Sequence, residues 1–328
     1  METLLSIEDL HVEFRGRRAT ARALEGVSYD VRPGETVCVV GESGCGKTVS
    51  ALSILGILPV PPARITQGHI RFQDLELLDL DEEALQEVRG NRISMVFQEP
   101  MTSLNPVFTI GDQIREAIQV HKKVSDEEAM DRCVSLLHDV GIPSPRDRLR
   151  DYPHQLSGGQ RQRVMIAMAL SCGPELLIAD EPTTALDVTI QVQILKLLQE
   201  IQQQKGLSLL YITHDLGVVA QIADRIFVMY AGVITEQGSA RDIFHDPRHP
   251  YTKGLLASLP ARARRGSPLY SVPGAVPDPA HKPDGCPFHP RCPIAEDSCR
   301  REFPELCDWG NGHVSRCPVL YNNPEKDA

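Results

Sequence analysis

A chain of 328 residues with 41% hydrophobic residues can bury one large core plus an appendage, or two modest domains. Its formal net charge of -10 gives no global electrostatic reason to bind nucleic acid or an acidic membrane surface. No stretch approaches the roughly 18 uncharged apolar residues of a membrane span, and the opening METLLSIEDLHVEF places acids where a secretory signal has a basic flank and an apolar run. The expectation is a cytosolic enzyme whose thiols are kept reduced and whose membrane role, if it has one, runs through a protein partner.

The first chemistry lies in TVCVVGESGCGKTVSALSILGIL, residues 36 to 58. Val37 to Val40 read as a buried strand, Gly41 to Gly46 as a turn, and Thr48 onward as a helix with apolar residues at Leu52, Leu55 and Leu58. Strand, GxxxxGKT, helix is a phosphate-binding arrangement. Gly41, Ser43, Gly44, Cys45 and Gly46 let backbone N–H groups surround a phosphate, Lys47 reaches the terminal phosphates, and Thr48 is placed to ligate magnesium. Cys45 beside this helix start is read either as a thiol of lowered pKa that reacts readily unless nucleotide covers it or as a passive small residue.

From about residue 99 to 157 the pattern is mainly helical. IGDQIREAIQVH and SDEEAMDRCVSLLHDVGI carry apolar residues at helical spacing, the second after a Ser125 cap with acids in its first turn. Ser157, Gly158 and Gly159 then open a further helix, with Gln160 following. A capped, glycine-rich helix start is a second anion-binding end, more than one nucleotide site needs. The chain therefore carries half of a second site.

PELLIADEPTTALD reads as a buried strand over Leu176 to Ala179 ending in Asp180 and Glu181. Beside the phosphate loop, Asp180 can hold magnesium through water and Glu181 can polarise an attacking water. RIFVMYAGVITEQG, residues 225 to 238, reads as two strands turning at Ala231 and Gly232.

Composition changes near residue 245. Proline recurs from Pro260 to Pro293, and Cys286, Cys292, Cys299, Cys307 and Cys317 all lie in the last part of the chain. The run resists long helices and central strands, so a body of residues 1 to 245 is expected to precede a loop-rich extension of residues 246 to 328. A disulfide knot fits a reducing setting poorly. Gaps of 5, 6, 7 and 9 residues between these cysteines are wider than the usual zinc pairs, although His289 and His313 keep zinc open beside an iron-sulfur cluster or inert thiols.

LSGGQ at residues 156 to 160, together with the two nucleotide motifs in this order, resembles the signature set of ATP-binding-cassette ATPases. The resemblance implies an α/β fold: a RecA-like core, an antiparallel β subdomain, an inserted helical subdomain over about 99 to 157 and the cysteine-containing extension. It implies ATP and Mg2+ as ligands, sandwiched head to tail between one subunit's phosphate loop and the other's signature. By the same resemblance Gln98 senses γ-phosphate and magnesium, Asp187 crosses the dimer, His214 bonds the γ-phosphate, and Phe14 stacks on adenine or simply packs in the core.

QEPMTSLNP, EPTTALDVTIQ and DPRHPYTKGLLASLP resemble the dipeptide and oligopeptide permease ATPases. That branch implies a heterodimer with a related ATPase on the cytoplasmic face of the inner membrane, two permease subunits and an external substrate-binding protein, with no nucleic acid. Nickel and antimicrobial-peptide importers share these segments, and a soluble ABC ATPase of DNA repair or translation is the alternative from another class. By the same resemblance, the branch includes members with an iron-sulfur cluster in this tail. The resemblance thus implies a [4Fe-4S] cluster on Cys286, Cys292, Cys299 and Cys317, with zinc as the alternative.

Overall fold

The structure is a computed structural model that describes residues 3–98, 103–184, 186–262, 268, 270–323 and 325. Strands β1 (Leu5–Arg15), β2 (Thr20–Val31), β4 (Ala63–Phe72) and β5 (Leu75–Glu76) form an antiparallel sheet in the order β2-β1-β4-β5. The larger sheet has the order β11-β12-β10-β9-β3-β8-β7-β6, with β3 (Thr36–Val40), β6 (Ile93–Val96), β7 (Leu176–Asp180), β8 (Ser208–Thr213), β9 (Arg225–Tyr230), β10 (Val233–Ser239), β11 (Cys307–Asp308) and β12 (Val314–Ser315). Its centre is parallel: β3 pairs with β8 and β9, and β7 with β8 and β6.

Every residue of β3, β7 and β8 is buried, as expected of parallel strands covered on both faces. The two-residue period divides them between two cores. Val37, Val39, Leu176, Ile178, Leu210 and Ile212 point toward the antiparallel sheet and the helix Lys47–Ile54. Cys38, Val40, Leu177, Ala179, Leu209 and Tyr211 point the other way, into the core shared with the helices Ile110–His121, Asp126–Asp139 and Gly158–Ala169.

The helices after residue 99 fall where their periodicity places them. Thr109 caps the first by accepting from the Asp112 N–H, and Ser125 and Glu128 form a reciprocal capping box on the second. Residues 99 to 102 lie outside the described residues. The turn between β9 and β10 is made by Ala231 and Gly232 with φ of 47° and 83°, the left-handed pair of a tight hairpin. One expectation fails: the helix after the phosphate loop ends at Ile54. Leu55 caps it and Gly56 turns left-handed at φ 60°, so Leu55 and Leu58 are buried beyond the helix rather than on it.

The composition change near residue 245 does not coincide with a break in packing. β12 pairs with β10, and Phe288 is buried in the same core as the helical subdomain. Glu236 of β10, fully buried, accepts from the backbone N–H groups of Arg248 and His249 and lies 2.9 Å from Nε2 of His313. Buried polar groups of this kind hold only when satisfied, and here they bind the extension to the body. The extension also touches the nucleotide motifs, since Arg291 pairs with Glu42 of the phosphate loop.

Candidate active site

The parallel strands β3, β8, β7 and β6 lie side by side, and their carboxyl ends deliver the site. The phosphate loop follows β3, His214 follows β8, Asp180 and Glu181 end β7, and Gln98 follows β6. Ligands of open α/β sheets bind at this edge, because loops there can converge while the strands stay rigid.

The loop turns into its helix at Gly46, where φ is 109° and a Cβ would sit 2.7 Å from Leu24 Cδ2. Only glycine satisfies both demands. Lys47, 5% exposed, donates to the carbonyls of Gly41 at 2.8 Å and Glu42 at 3.0 Å. Thr48 donates to Asp180 Oδ1 at 3.2 Å. Burial pushes the Asp180 carboxyl up, with Glu181 adding to it, and the Thr48 hydroxyl and Lys47 ammonium reverse only part of that rise.

Glu181 has a left-handed backbone, φ 45°, which is costly for a side-chain-bearing residue and is concentrated at functional sites. Its carboxylate lies 2.9 Å from Nδ1 of His214 and accepts from Gln98 Nε2 at 3.0 Å and Thr184 Oγ1 at 3.0 Å. Burial alone would raise its pKa. The hydrogen bond and charge of His214, the Thr184 hydroxyl and Lys47 outweigh that and hold the carboxyl below the usual glutamate range. A carboxylate ionised at neutral pH and ringed by donors is equipped to receive a proton. Thr184 was not foreseen from the sequence, where it is one of two threonines in EPTTALD with nothing to single it out.

Ser157 caps the helix Gly158–Ala169, accepting from the Gln160 N–H while the Gln160 side chain accepts from the Ser157 N–H. Asp187 caps the helix Val188–Lys205. The two helix starts pack together: a Cβ on Gly159 would lie 2.8 Å from Ile190 Cγ2, so these glycines permit close approach of two helix ends. Among the described residues the side chains of Ser157 and Gln160 bond each other's backbone N–H groups, closing this helix start on itself. Phe14 sits directly across β1–β2 from Ala21 and is partly buried against the core, compatible with either reading of it.

Cys45 is corrected. Its side chain is 1% exposed and packed in the core under the antiparallel sheet, and burial pushes the thiol pKa up against the opposing pull of Lys47. A maleimide is therefore expected to label Cys45 slowly in the folded protein and rapidly after denaturation. Fast native labelling mapped to Cys45, with ATP protection, would restore the reactive-thiol reading.

The described residues form two further cavities of note. An apolar cleft of about 600 Å3 is lined by Leu55, Ile57, Phe97, Val120, Met165 and Met168, next to Gln98, with Val120 70% exposed. In the extension, Cys286, Cys292, Cys299 and Cys317 line a cavity of about 310 Å3 together with His249 and Phe288, while Cys307 is absent from its wall. Burial and the proximity of Cys292, Cys286 and Cys299 push the Cys317 thiol up to about 12. Burial raises Cys292 to about 11. Among the described residues no three His, Cys, Asp or Glu side chains converge closely enough to hold a single metal ion.

A phosphate loop after β3, an acid pair at the end of β7 and a parallel core define a P-loop ATPase. A family profile described as "ABC transporter" matches residues 24–184, and one described as "Oligopeptide/dipeptide transporter, C-terminal region" matches residues 235–299. The dipeptide transport ATP-binding protein DppD of Bacillus subtilis is 51% identical over 317 residues, covering 97% of this chain and 95% of the relative. DppD of Escherichia coli is 50% identical over 314 residues, covering 96% of each chain. Among solved structures, the dimeric post-hydrolysis state of the ATP-binding cassette MJ0796 bound to ADP and Pi superposes at a TM-score of 0.65 with 27% identity, covering 72% of this chain and 99% of that one. The cbiO1 structure from Clostridium perfringens, part of the cbiONQ transporter complex, gives a TM-score of 0.64 with 28% identity, covering 75% of this chain and 92% of that one. The chain belongs to the ATP-binding subunits of ABC transporters, in the branch that carries the oligopeptide/dipeptide C-terminal region. No helix among the described residues is long and apolar enough to cross a membrane.

Proposed function

We propose that this chain hydrolyses ATP to drive import of dipeptides or oligopeptides through partner permeases, as a peripheral subunit on the cytoplasmic face of the membrane. The observation that carries the reading is the Glu181 cluster at the strand ends, set in a chain half identical to dipeptide transport ATP-binding proteins over nearly its full length. Lys47 and the loop amides of residues 41 to 46 bind the phosphates, and Phe14 supports the adenine. Thr48, Gln98 and Asp180 would hold Mg2+, which neutralises phosphate charge when bound. Glu181 takes a proton from the water that attacks the γ-phosphorus, giving ADP and phosphate. His214, already on the Glu181 carboxylate, orients it and contacts the γ-phosphate.

The signature end at Ser157, Gly158, Gly159 and Gln160 completes the site of a related second ATPase, with Asp187 beside the interface. The apolar cleft beside Gln98 suits a cytosolic helix of a permease, which links nucleotide state to the membrane. An external binding protein supplies the peptide. In a reconstituted complex with cognate permeases, peptide-loaded binding protein should stimulate ATPase activity and peptide should accumulate. Stimulation by nickel and not by peptide would overturn the substrate assignment.

The same reading assigns a [4Fe-4S] cluster to Cys286, Cys292, Cys299 and Cys317. Support comes from the single cavity that these four cysteines line and Cys307 does not. Four neighbouring thiols, one buried and three partly buried, ionise together only beside positive charge. Such a cluster cross-links loop-rich chain and can exchange one electron. Anaerobically purified protein is expected to be brown and to contain iron and acid-labile sulfide. Cys317→Ser should lose both and Cys307→Ser should keep them. Stoichiometric zinc without iron would refute the cluster.

A further inference from the structure

Glu42 puts a carboxylate in the phosphate-binding loop, where it repels the polyanion that the loop exists to bind. In this structure the charge is met from the far end of the chain. Arg291 forms a two-pronged ion pair with Glu42, Nη1 to Oε1 at 2.9 Å and Nη2 to Oε2 at 3.2 Å. The Arg291 side chain is 5% exposed and that of Glu42 is 31% exposed. The remaining guanidinium bonds go to Pro273 O at 2.7 Å, Val272 O at 3.1 Å and the Tyr230 hydroxyl at 3.3 Å. Arg291 therefore ties the phosphate loop to strand β9 and to the extension at once. Tyr251, on the helix Pro250–Ala257, adds a second tie by accepting from the Glu42 N–H at 2.9 Å, and Lys47 binds the Glu42 carbonyl at 3.0 Å.

We infer that Arg291 is a positioning residue for nucleotide binding, which neutralises Glu42 and aims it away from the phosphates so that the fold of the cysteine-bearing extension sets ATP affinity. The turn His289–Arg291 ends at Cys292, and Cys292 N donates to His289 O at 3.3 Å. Any loosening of the cysteine-lined cavity thus moves the residue that holds Glu42. The inference needs only ATP binding by the loop, not the cluster assignment. A bidentate partner is required, because a lysine at position 291 supplies charge without the fork that spans both carboxylate oxygens.

The test uses full-length protein and equilibrium binding of ATP, followed by displacement of a fluorescent ATP analogue, with thermal unfolding and iron content measured on the same samples. Arg291→Gln should bind ATP about tenfold more weakly, at the modest end for breaking a hydrogen-bonded charge pair because Glu42 is partly exposed. Arg291→Lys should lie between wild type and Arg291→Gln. The decisive arm is Glu42→Gln combined with Arg291→Gln: removing the orphaned carboxylate should recover part of the lost affinity. A purely structural strap predicts that the double variant binds no better than Arg291→Gln. That result, or wild-type affinity in Arg291→Gln, would overturn the inference. Should Arg291→Gln fail to fold, equal ATP affinities of Arg291→Lys and wild type would overturn the need for the fork, and a loss in Arg291→Lys with unchanged iron content would uphold it.

Discussion

Glu181→Gln is expected to bind ATP with near wild-type affinity and to hydrolyse it at least ~100-fold more slowly, the scale of a lost general base. The substitution is nearly isosteric and keeps one acceptor oxygen for Thr184 and Gln98, which share one side of the carboxylate, while the amide NH2 then faces His214 Nδ1, which can accept from it as a neutral imidazole. What disappears is the negative charge that receives the proton. Lys47 and Thr48 remain, so the phosphates still have their loop. Glu181 is ionised at neutral pH because His214, Thr184 and Lys47 overcome the effect of burial. A depressed folded-state value also means that its contribution to stability is present above the ordinary glutamate range and is lost as pH falls through the depressed value. Single-turnover hydrolysis with bound ATP separates the two effects, and a wild-type rate would remove Glu181 from its role.

Much of this site is legible in the sequence because its geometry is local. GxxxxGKT fixes its own backbone through glycine and a helix start, and a strand that ends in Asp180 and Glu181 can meet it only at the carboxyl edge of a parallel sheet. The helices Ile110–His121 and Asp126–Asp139 announce themselves through capping residues, and the hairpin through Ala231 and Gly232. The reactive reading of Cys45 fails because a motif gives no account of what packs on it: the antiparallel sheet buries the thiol, and desolvation exceeds the pull of Lys47. The helix after the loop was read too long because Leu52, Leu55 and Leu58 keep an apolar spacing, although Gly56 stops the helix between them. Arg291 and Tyr251 were invisible for a different reason. They meet Glu42 across more than 200 residues of sequence, separated from it by 249 and 209 positions, and no local pattern encodes such a contact.

Lys47→Ala should have the complementary effect: a loss of ATP affinity of about 100-fold, as for truncating one partner of a buried, hydrogen-bonded charge pair. The ammonium is buried between the carbonyls of Gly41 and Glu42, at 2.8 and 3.0 Å, and it also lies within electrostatic reach of Asp180 and Glu181. Removing it leaves two loop carbonyls without their donor, withdraws the cation proposed to contact the terminal phosphates, and leaves two carboxylates at the site with less compensation. Lys47→Arg should not restore binding, since a planar guanidinium cannot take the place of a compact ammonium between those two carbonyls. The two active-site variants then divide cleanly. Glu181→Gln keeps nucleotide and loses turnover, and Lys47→Ala loses nucleotide itself, as measured by equilibrium binding in the presence of Mg2+. Unchanged affinity in Lys47→Ala would mean that the loop amides alone carry the phosphates, and the assignment of Lys47 would fall.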